Sequence, residues 1–177
     1  MIRSPHAHAR IRSITTSAAT QAPGVLAVFT GADLVRDGLG TMRMTLRRKR
    51  PDGSPMWAPP HRGLTQDRVR YVGDPVALVI AETPAQAKDA AELVQVDYEP
   101  LPSVTSTAEA GNGSPPVWDE CPDNISNVFE TGDRAATEAA FARAHRVVRR
   151  RYVITRVHAQ YMEPRGALGV FDPGEDR

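Results

Sequence analysis

The stretch from residue 73 to residue 102 constrains the fold of this chain more than any other. Residues 76–81 read VALVIA, so they have no polar face and are typical of a central strand covered on both sides. A Gly-Asp-Pro sequence at residues 73–75 predicts a turn just before that strand. Residues 94–99 alternate apolar and polar side chains until Pro100, which predicts a second, half-buried strand.

A helix is predicted between these two strands. Thr83 is a preferred N-cap residue, Pro84 suits the first helical position, and Gln86 can satisfy a free amide at the helix start. A stripe of small apolar side chains follows at helical spacing, which would let the helix pack closely on a sheet: Ala87, Ala90, Ala91 and Val94. The stretch therefore predicts a strand-helix-strand unit and an α/β (α+β) fold.

The flanking segments favour further short elements. Residues 9–14 and 24–30 have β-type sequences, and residues 31–34 could open a helical turn. Residues 38–63 are rich in proline and glycine without sustained periodicity, which predicts a long exposed loop. Val69 and Tyr71 alternate with arginines, as in a half-buried strand.

The second half of the chain is predicted to be a separate part. Residues 103–133 are rich in Gly, Pro, Ser and Asn, a composition typical of a linker. Asp133 is a plausible N-cap for a short helix with Ala136, Ala140, Phe141 and Ala144 on one face. Residues 147–157 and 166–171 then predict strands, with a turn at residues 172–174.

The charge balance excludes a strong global electrostatic attraction to nucleic acid or membranes. Lys and Arg number 22 against 21 Asp and Glu, for a net charge of +1.

The single cysteine excludes an internal disulfide and an all-cysteine metal cage. The longest apolar run is far shorter than the roughly 20 residues that cross a bilayer, and the first ten residues do not resemble a secretory signal. We expect a soluble, cytoplasmic protein.

Two histidines, His6 and His8, are spaced as metal ligands can be in an extended segment. A third ligand would have to come from His61, His145 or His158, none of which lies in a metal-binding motif. Ordinary surface or hydrogen-bonded histidines are the favoured interpretation.

Two basic runs, residues 43–50 and 149–151, have the arginine forks that bind phosphate. Nucleic-acid binding by these runs is disfavoured, since few aromatic residues accompany them. The alternatives are a solvated loop or a contact with an acidic partner subunit.

Cys121 lies among Asp119, Glu120 and Asp123, whose charges raise a thiol pKa, so it is predicted to be inert. No phosphate-binding glycine loop, nucleophile elbow or zinc-protease helix is present.

Several strings, in order along the chain, resemble the large, molybdenum-binding subunit of the xanthine dehydrogenase, aldehyde oxidase and carbon monoxide dehydrogenase family. They cover nearly the whole chain and read RSPHAHARI at 3–11, APGV at 22–25, FTGADL at 29–34, VRYVGDPVA at 69–77, VDYEPLP at 96–102, GD at 132–133, Ala140, Phe141 and Ala144, and MEPRGAL at 162–168.

The resemblance implies an α/β hammerhead domain over residues 1–105, a linker over 106–124 and the beginning of a molybdopterin-binding domain over 125–177. It implies oxidative hydroxylation of an aldehyde, a purine or another N-heterocycle, or oxidation of carbon monoxide, with water as the oxygen source. It also implies a molybdenum-molybdopterin cofactor in the intact enzyme. Iron-sulfur clusters and FAD would be held by a small and a medium partner subunit.

The departures from the family pattern limit what can be assigned to this chain. The family's large subunit is several times longer, its first hammerhead strand normally precedes the RSPHAH string, and its catalytic glutamate and pterin contacts lie beyond residue 177. We therefore expect an inactive, aggregation-prone N-terminal fragment, and no catalytic, cofactor-binding or metal residue is assigned. Glu163 and Arg165 match the family motif and are predicted to form a structural pair.

Two alternatives to a fragment of an enzyme stay open at this point. The first is a hammerhead module that docks partner subunits without catalysis and uses the basic loop at residues 43–50 as a contact. The second is nucleic-acid binding through the same loop.

Overall fold

A computed structural model describes residues 1–154, 162–163, 166–167, 169–170 and 173–175. The chain divides into two compact units, Met1–Thr131 and Gly132–Arg177, here called the first and second units. The first unit contains β1 (Ile2–Arg3), β2 (Ala9–Thr15), α1 (Ser17–Thr20), β3 (Val25–Thr30), α2 (Gly31–Arg36), β4 (Arg68–Val69), β5 (Pro75–Ala81), α3 (Pro84–Glu92) and β6 (Gln95–Pro100). The second unit contains α4 (Arg134–Arg143).

The strands of the first unit form two antiparallel sheets of three strands each. One sheet has the order β1-β5-β3 and the other has the order β4-β2-β6. The strands on either side of α3 are present as predicted, but they belong to different sheets. The strand-helix-strand stretch therefore carries the chain from one sheet to the other instead of forming a parallel crossover.

Helix α3 begins as its sequence predicts. The Thr83 hydroxyl oxygen accepts a hydrogen bond from the Gln86 amide at 3.3 Å and donates one to the Gln86 side-chain oxygen at 2.9 Å. The predicted small-residue stripe faces the protein, with Ala90 fully buried. Small side chains on that face let α3 pack against β5 and β3.

Helix α2 confirms the predicted helical turn and has a tightly fitted first residue. The Asp33 carboxylate accepts hydrogen bonds from the amide and hydroxyl of Thr30, both at 2.7 Å, and these bonds lower the pKa of Asp33. Gly31 is buried against the backbone of the loop before β4. A Cβ at residue 31 would lie 2.5 Å from the Thr65 carbonyl oxygen and 2.8 Å from the Gln66 Cα, so only glycine fits.

The hydrophobic core of the first unit contains residues from both sheets. Ala9, Val69 and Val76 are fully buried, and partly buried side chains pack around them: Ile2, Ile11, Val96 and Tyr98. Strand β5 is central in its sheet, but the prediction that it is covered on both sides is wrong at its end. Ile80 is 41% exposed there.

Residues 38–63 form the predicted exposed loop, with two isolated bridges at Met42–His61 and Lys49–Pro55. Residues 106–124, for which the sequence predicts a linker, lie within the first unit. Two elements of this unit were not predicted, namely the short strand β1 and the single-turn helix α1.

The second unit contains the predicted helix. The Asp133 carboxylate accepts a hydrogen bond from the Ala136 amide at 2.8 Å, as an N-cap does. The prediction of a strand over residues 147–157 is wrong for residues 147–154, which form no strand. No described residue pairs with them through a ladder of backbone hydrogen bonds. Residues 155–157 and part of 166–174 lie outside the described residues, and the described ones from 166 to 170 are in no strand.

Within the described residues, every helix is too short or too polar to pass through a lipid bilayer.

Candidate functional site

The first unit has a cleft with a volume of about 590 Å³ beside the turn that precedes β5. Its walls come from the end of the exposed loop, from residues 65–74 and from residues 117–120. The side chains that give it its chemical character are those of His61, Arg70, Tyr71, Asp74, Trp118 and Glu120. Its lining mixes both signs of charge with two aromatic rings.

Asp74 organises the turn at the edge of this cleft. One carboxylate oxygen accepts a hydrogen bond from the Thr65 hydroxyl at 2.8 Å, and the other accepts one from the Arg70 amide at 3.0 Å. The Asp74 carbonyl oxygen also accepts a hydrogen bond from the Ser4 amide at 2.9 Å. Asp74 is only 8% exposed, so its carboxylate is engaged in holding the turn between β4 and β5.

Arg70 fixes the opposite wall of the cleft. Its guanidinium lies 3.5 Å from the centre of the Trp118 ring, a cation-π contact. Its Nε donates a hydrogen bond to the Val117 carbonyl at 3.1 Å, and its Nη1 donates one to the Arg68 carbonyl at 2.9 Å. Burial lowers the pKa of Arg70, but an arginine pKa starts so high that the group stays charged.

Arg68 holds the same wall by an ion pair with Asp119 at 3.0 Å, which lowers the pKa of Asp119.

The side chains that line the cleft indicate a role in binding or in holding neighbouring segments in place. None of them is an activated nucleophile. Burial raises the pKa of Tyr71, and the Asp74 carboxylate raises it further, so the phenol stays protonated at neutral pH. The Asp74 and Arg70 side chains already have structural partners. The sequence indicated Asp74 only as a turn residue and did not single out Arg70 or Trp118.

The structure uses His6 and His8 for packing and hydrogen bonding. The His6 ring lies 4.9 Å from the Tyr98 ring. His8 is buried, and its Nδ1 is 2.7 Å from the Pro102 carbonyl oxygen. His61 lines the cleft, His145 is exposed in the second unit, and His158 lies outside the described residues. In the part of the chain that the structure describes, no group of three metal-ligating side chains converges.

Cys121 has the raised pKa that its sequence neighbours predict. Its sulfur is buried and lies 3.5 Å from both an Asp123 carboxylate oxygen and the Ile125 carbonyl oxygen. Burial is the main cause that raises the pKa of Cys121, and the hydrogen bond to Asp123 adds to it.

Alkylation of Cys121 by iodoacetamide at pH 7.5 is therefore expected to be at least about tenfold slower than that of N-acetylcysteine. Because the pKa is raised, less thiolate is present near neutral pH, and the rate should rise only at higher pH than for the free thiol. Mass spectrometry follows the reaction, and denaturant should restore the rate of the free thiol. Equal rates for the folded chain and N-acetylcysteine would contradict the buried, protonated thiol.

The remaining predicted site residues lie mostly in the second unit. Arg149, Arg150 and Arg151 are exposed, and Arg150 donates a hydrogen bond to the Arg149 carbonyl at 3.1 Å. Glu163 is exposed, whereas Arg165 lies outside the described residues, so their predicted pairing does too. The described side chains of the second unit are all exposed and enclose no space that a pterin could occupy.

Two protein-family models match the chain in succession. The model for the aldehyde oxidase and xanthine dehydrogenase a/b hammerhead domain matches residues 1–102, and the model for the molybdopterin cofactor-binding domain matches residues 117–177.

Relatives and solved structures agree with these matches. The chain is 38% identical to the nicotine 6-hydroxylase large subunit of Paenarthrobacter nicotinovorans over 99% of its own length and 21% of that protein. It is 35% identical to the carbon monoxide dehydrogenase large chain of Afipia carboxidovorans over 92% of its length and 20% of that chain. A crystal structure of Cu,Mo-CO dehydrogenase superimposes with a TM-score of 0.63 at 34% identity over 81% of this chain and 18% of the other. The chain thus spans about a fifth of the length of the curated relatives it matches.

Proposed function

We propose, since this chain belongs to the aldehyde oxidase and xanthine dehydrogenase family, that it supplies the N-terminal part of the large subunit of a molybdenum hydroxylase. Residues 1–105 form the hammerhead domain, residues 106–124 a linker, and residues 125–177 the beginning of the molybdopterin-binding domain. The observation that carries the proposal is that both family models match in this order, over nearly the whole chain.

The reaction of the intact enzyme is proposed to be an oxidative hydroxylation of an aldehyde, a purine or another N-heterocycle, or the oxidation of carbon monoxide. The molybdenum cofactor supplies that redox chemistry when it is bound. The described residues of the second unit are all exposed and do not by themselves form a pterin site. No catalytic step is therefore assigned to side chains of this chain.

The contribution of this chain is proposed to be structural. The bonds of Asp74 fix the turn before β5, and the contacts of Arg70 hold residues 117–118 against the end of β4. These contacts connect the segment matched by the hammerhead model to the start of the segment matched by the cofactor-binding model. The large subunit would thereby enter its cofactor-binding domain from a fixed point.

The partners are proposed to be a small iron-sulfur subunit, an FAD-binding medium subunit and the remainder of a large subunit. The names of the relatives support a multi-subunit assembly, since they include a large subunit, a large chain and a subunit gamma of a dehydrogenase complex. A cytoplasmic location, where the single cysteine would stay reduced, belongs to the same proposal.

Purification of the 177-residue chain tests this role directly. We expect the chain alone to contain no stoichiometric molybdenum and to reduce no dye with benzaldehyde, hypoxanthine, quinoline or carbon monoxide. We expect it to be retained by immobilised iron-sulfur and flavin subunits of the same enzyme. Stoichiometric molybdenum together with turnover by the chain alone would overturn the structural role.

A hammerhead module that docks partner subunits without any catalysis is the second candidate. The observation that favours it is the ordered basic loop, which presents unpaired cations on the first unit. The two candidates differ in one respect: the N-terminal part of a large subunit would also bind the remainder of that subunit, whereas a docking module would bind only the partner subunits.

A further inference from the structure

The loop from residue 39 to residue 56, here called the basic arm, is ordered although it forms no regular strand. The Arg50 amide donates a hydrogen bond to the Ser54 carbonyl at 2.7 Å, and the Met56 amide donates one to the Arg48 carbonyl at 2.9 Å. At its base the Met42 amide donates to the His61 carbonyl at 2.8 Å. The Asp52 carboxylate closes the tip by accepting from the amide and hydroxyl of Ser54. The arm is thus a hairpin-like projection with a defined backbone.

Two of the five cations in the arm hold it against another segment of the first unit. The Arg50 guanidinium donates a hydrogen bond to the Ile125 carbonyl oxygen. The Arg48 guanidinium lies 4.9 Å from the centre of the Phe129 ring. Both contacts are made to the segment that follows residue 124, so they fix the arm and leave its outer side free.

The other three cations, Arg43, Arg47 and Lys49, are exposed and form no ion pair with any described carboxylate. Other surface arginines of the first unit do have such partners: Arg12 pairs with Glu99 and Arg36 pairs with Asp33. The arm itself has a single carboxylate, that of Asp52, which is engaged at the tip. Its outer side therefore has a strong, uncompensated positive charge.

Large apolar side chains are exposed beside these cations. Leu39 is 56% exposed, Met42 is 66% exposed and Leu46 is 54% exposed. Exposed apolar groups that are interleaved with arginines are typical of protein interfaces, where methionine and arginine are enriched. Nucleic-acid sites for single strands use aromatic stacking, and the arm has no aromatic residue. The arm also has no amphipathic helix of the kind that lies in a membrane surface.

We propose that the basic arm is a docking site for an acidic, partly apolar surface of a partner subunit. This inference rests on the proposed function, since it presumes that the chain assembles with other subunits. The charge of Arg43, Arg47 and Lys49 selects carboxylates on the partner, and the neighbouring apolar side chains supply the contact area. The ordered backbone lowers the conformational entropy that docking costs.

The test compares two variants of the 177-residue chain that change the net charge equally. R43E/R47E/K49E reverses the three free cations of the arm, and R149E/R150E/R151E reverses three exposed cations of the second unit as the matched control. Binding to the immobilised iron-sulfur and flavin subunits is measured by biolayer interferometry at about 50 mM and about 300 mM salt. Circular dichroism spectra equal to that of the wild type show that each variant is folded.

We expect the arm variant to bind at least about tenfold more weakly than the wild type at low salt, and the control to stay within about twofold. The affinity of the wild type should fall as salt rises, and that of the arm variant should depend less on salt. Equal binding by the wild type and the arm variant would overturn this inference and leave the proposed assembly intact. Equal weakening in both variants would also overturn it, because the effect would then be one of net charge.

Two further results separate the inference from the proposed function. If the wild type binds neither subunit, the proposed assembly fails and the docking site fails with it. If the wild type instead binds random duplex DNA or vesicles that contain phosphatidylserine, and loses that binding in the arm variant, the arm is assigned to that other partner and the inference is wrong.

Discussion

Replacement of Gly31 by alanine is expected to lower the free energy of unfolding of the first unit by about 3 kcal/mol. The added Cβ would lie 2.5 Å from the Thr65 carbonyl oxygen and 2.8 Å from the Gln66 Cα. Both are backbone atoms, so the clash cannot be relieved by a change of side-chain rotamer. Either helix α2 or the loop before β4 must move, and each movement disturbs contacts next to the core.

Urea denaturation followed by the fluorescence of Trp57 and Trp118 measures this effect. Gly40 provides a matched control, because a Cβ there would meet no atom within 4 Å and its φ is not positive. We expect Gly40→Ala to change the free energy of unfolding by less than about 0.5 kcal/mol. A Gly31→Ala variant as stable as the control would show that α2 and the loop are not in close contact.

Replacement of Asp74 by alanine is the second change with a large expected effect, a loss of about 3 kcal/mol of stability. The substitution removes the acceptor of the Thr65 hydroxyl and of the Arg70 amide, and both donors lie in partly buried surroundings. A buried donor without an acceptor costs more than an average hydrogen bond contributes. The turn before β5 would loosen, and with it the wall of the cleft formed by Arg70 and Trp118.

A double-mutant cycle with Thr65→Val tests the mechanism of that loss. Because Thr65 and Asp74 share a hydrogen bond, the double variant should be about 1 kcal/mol more stable than the sum of the single losses predicts. Asp67→Ala is the control, since the Asp67 side chain is an exposed carboxylate in the same cleft. A loss of stability from Asp67→Ala as large as that from Asp74→Ala would contradict the role assigned to the Asp74 hydrogen bonds.

The elements that the sequence predicts correctly are those whose determinants are local. The start of α3 depends on Thr83, Pro84 and Gln86, and the start of α4 depends on Asp133, so a few adjacent residues suffice. The sheet to which each strand belongs depends on pairing between residues far apart in sequence. The periodicity of a single strand gives no information about that pairing. Residues 147–154, predicted as part of a strand but found in none, show the same limit, because alternation indicates a suitable segment but not a pairing neighbour.

The candidate site was harder to predict than the fold. Asp74, Arg70 and Trp118 meet only through tertiary contacts, so the sequence offered no signal beyond a turn and a basic strand. Composition also does not show which contacts the predicted linker before residue 125 makes. Asn124 adopts a φ of 55° and its side-chain amide donates hydrogen bonds to the Ala110 and Pro115 carbonyls. A loop ordered in this way has the same residue types as a flexible linker.

The pairing of β2 with β6 determines when the first unit can fold during synthesis. Most of residues 9–15 find their partners at residues 95–100, although Ala9 and Arg10 also pair with β4, and β1 and β3 likewise wait for β5. At about 5–20 residues per second, a ribosome takes about 4–17 s to make the intervening chain. During that interval β2 has unpaired backbone donors and acceptors, an edge at which nascent chains can associate. We therefore expect the sheet of β4, β2 and β6 to be completed only after Pro100 emerges, which leaves β2 accessible until then to chaperones that bind extended chains.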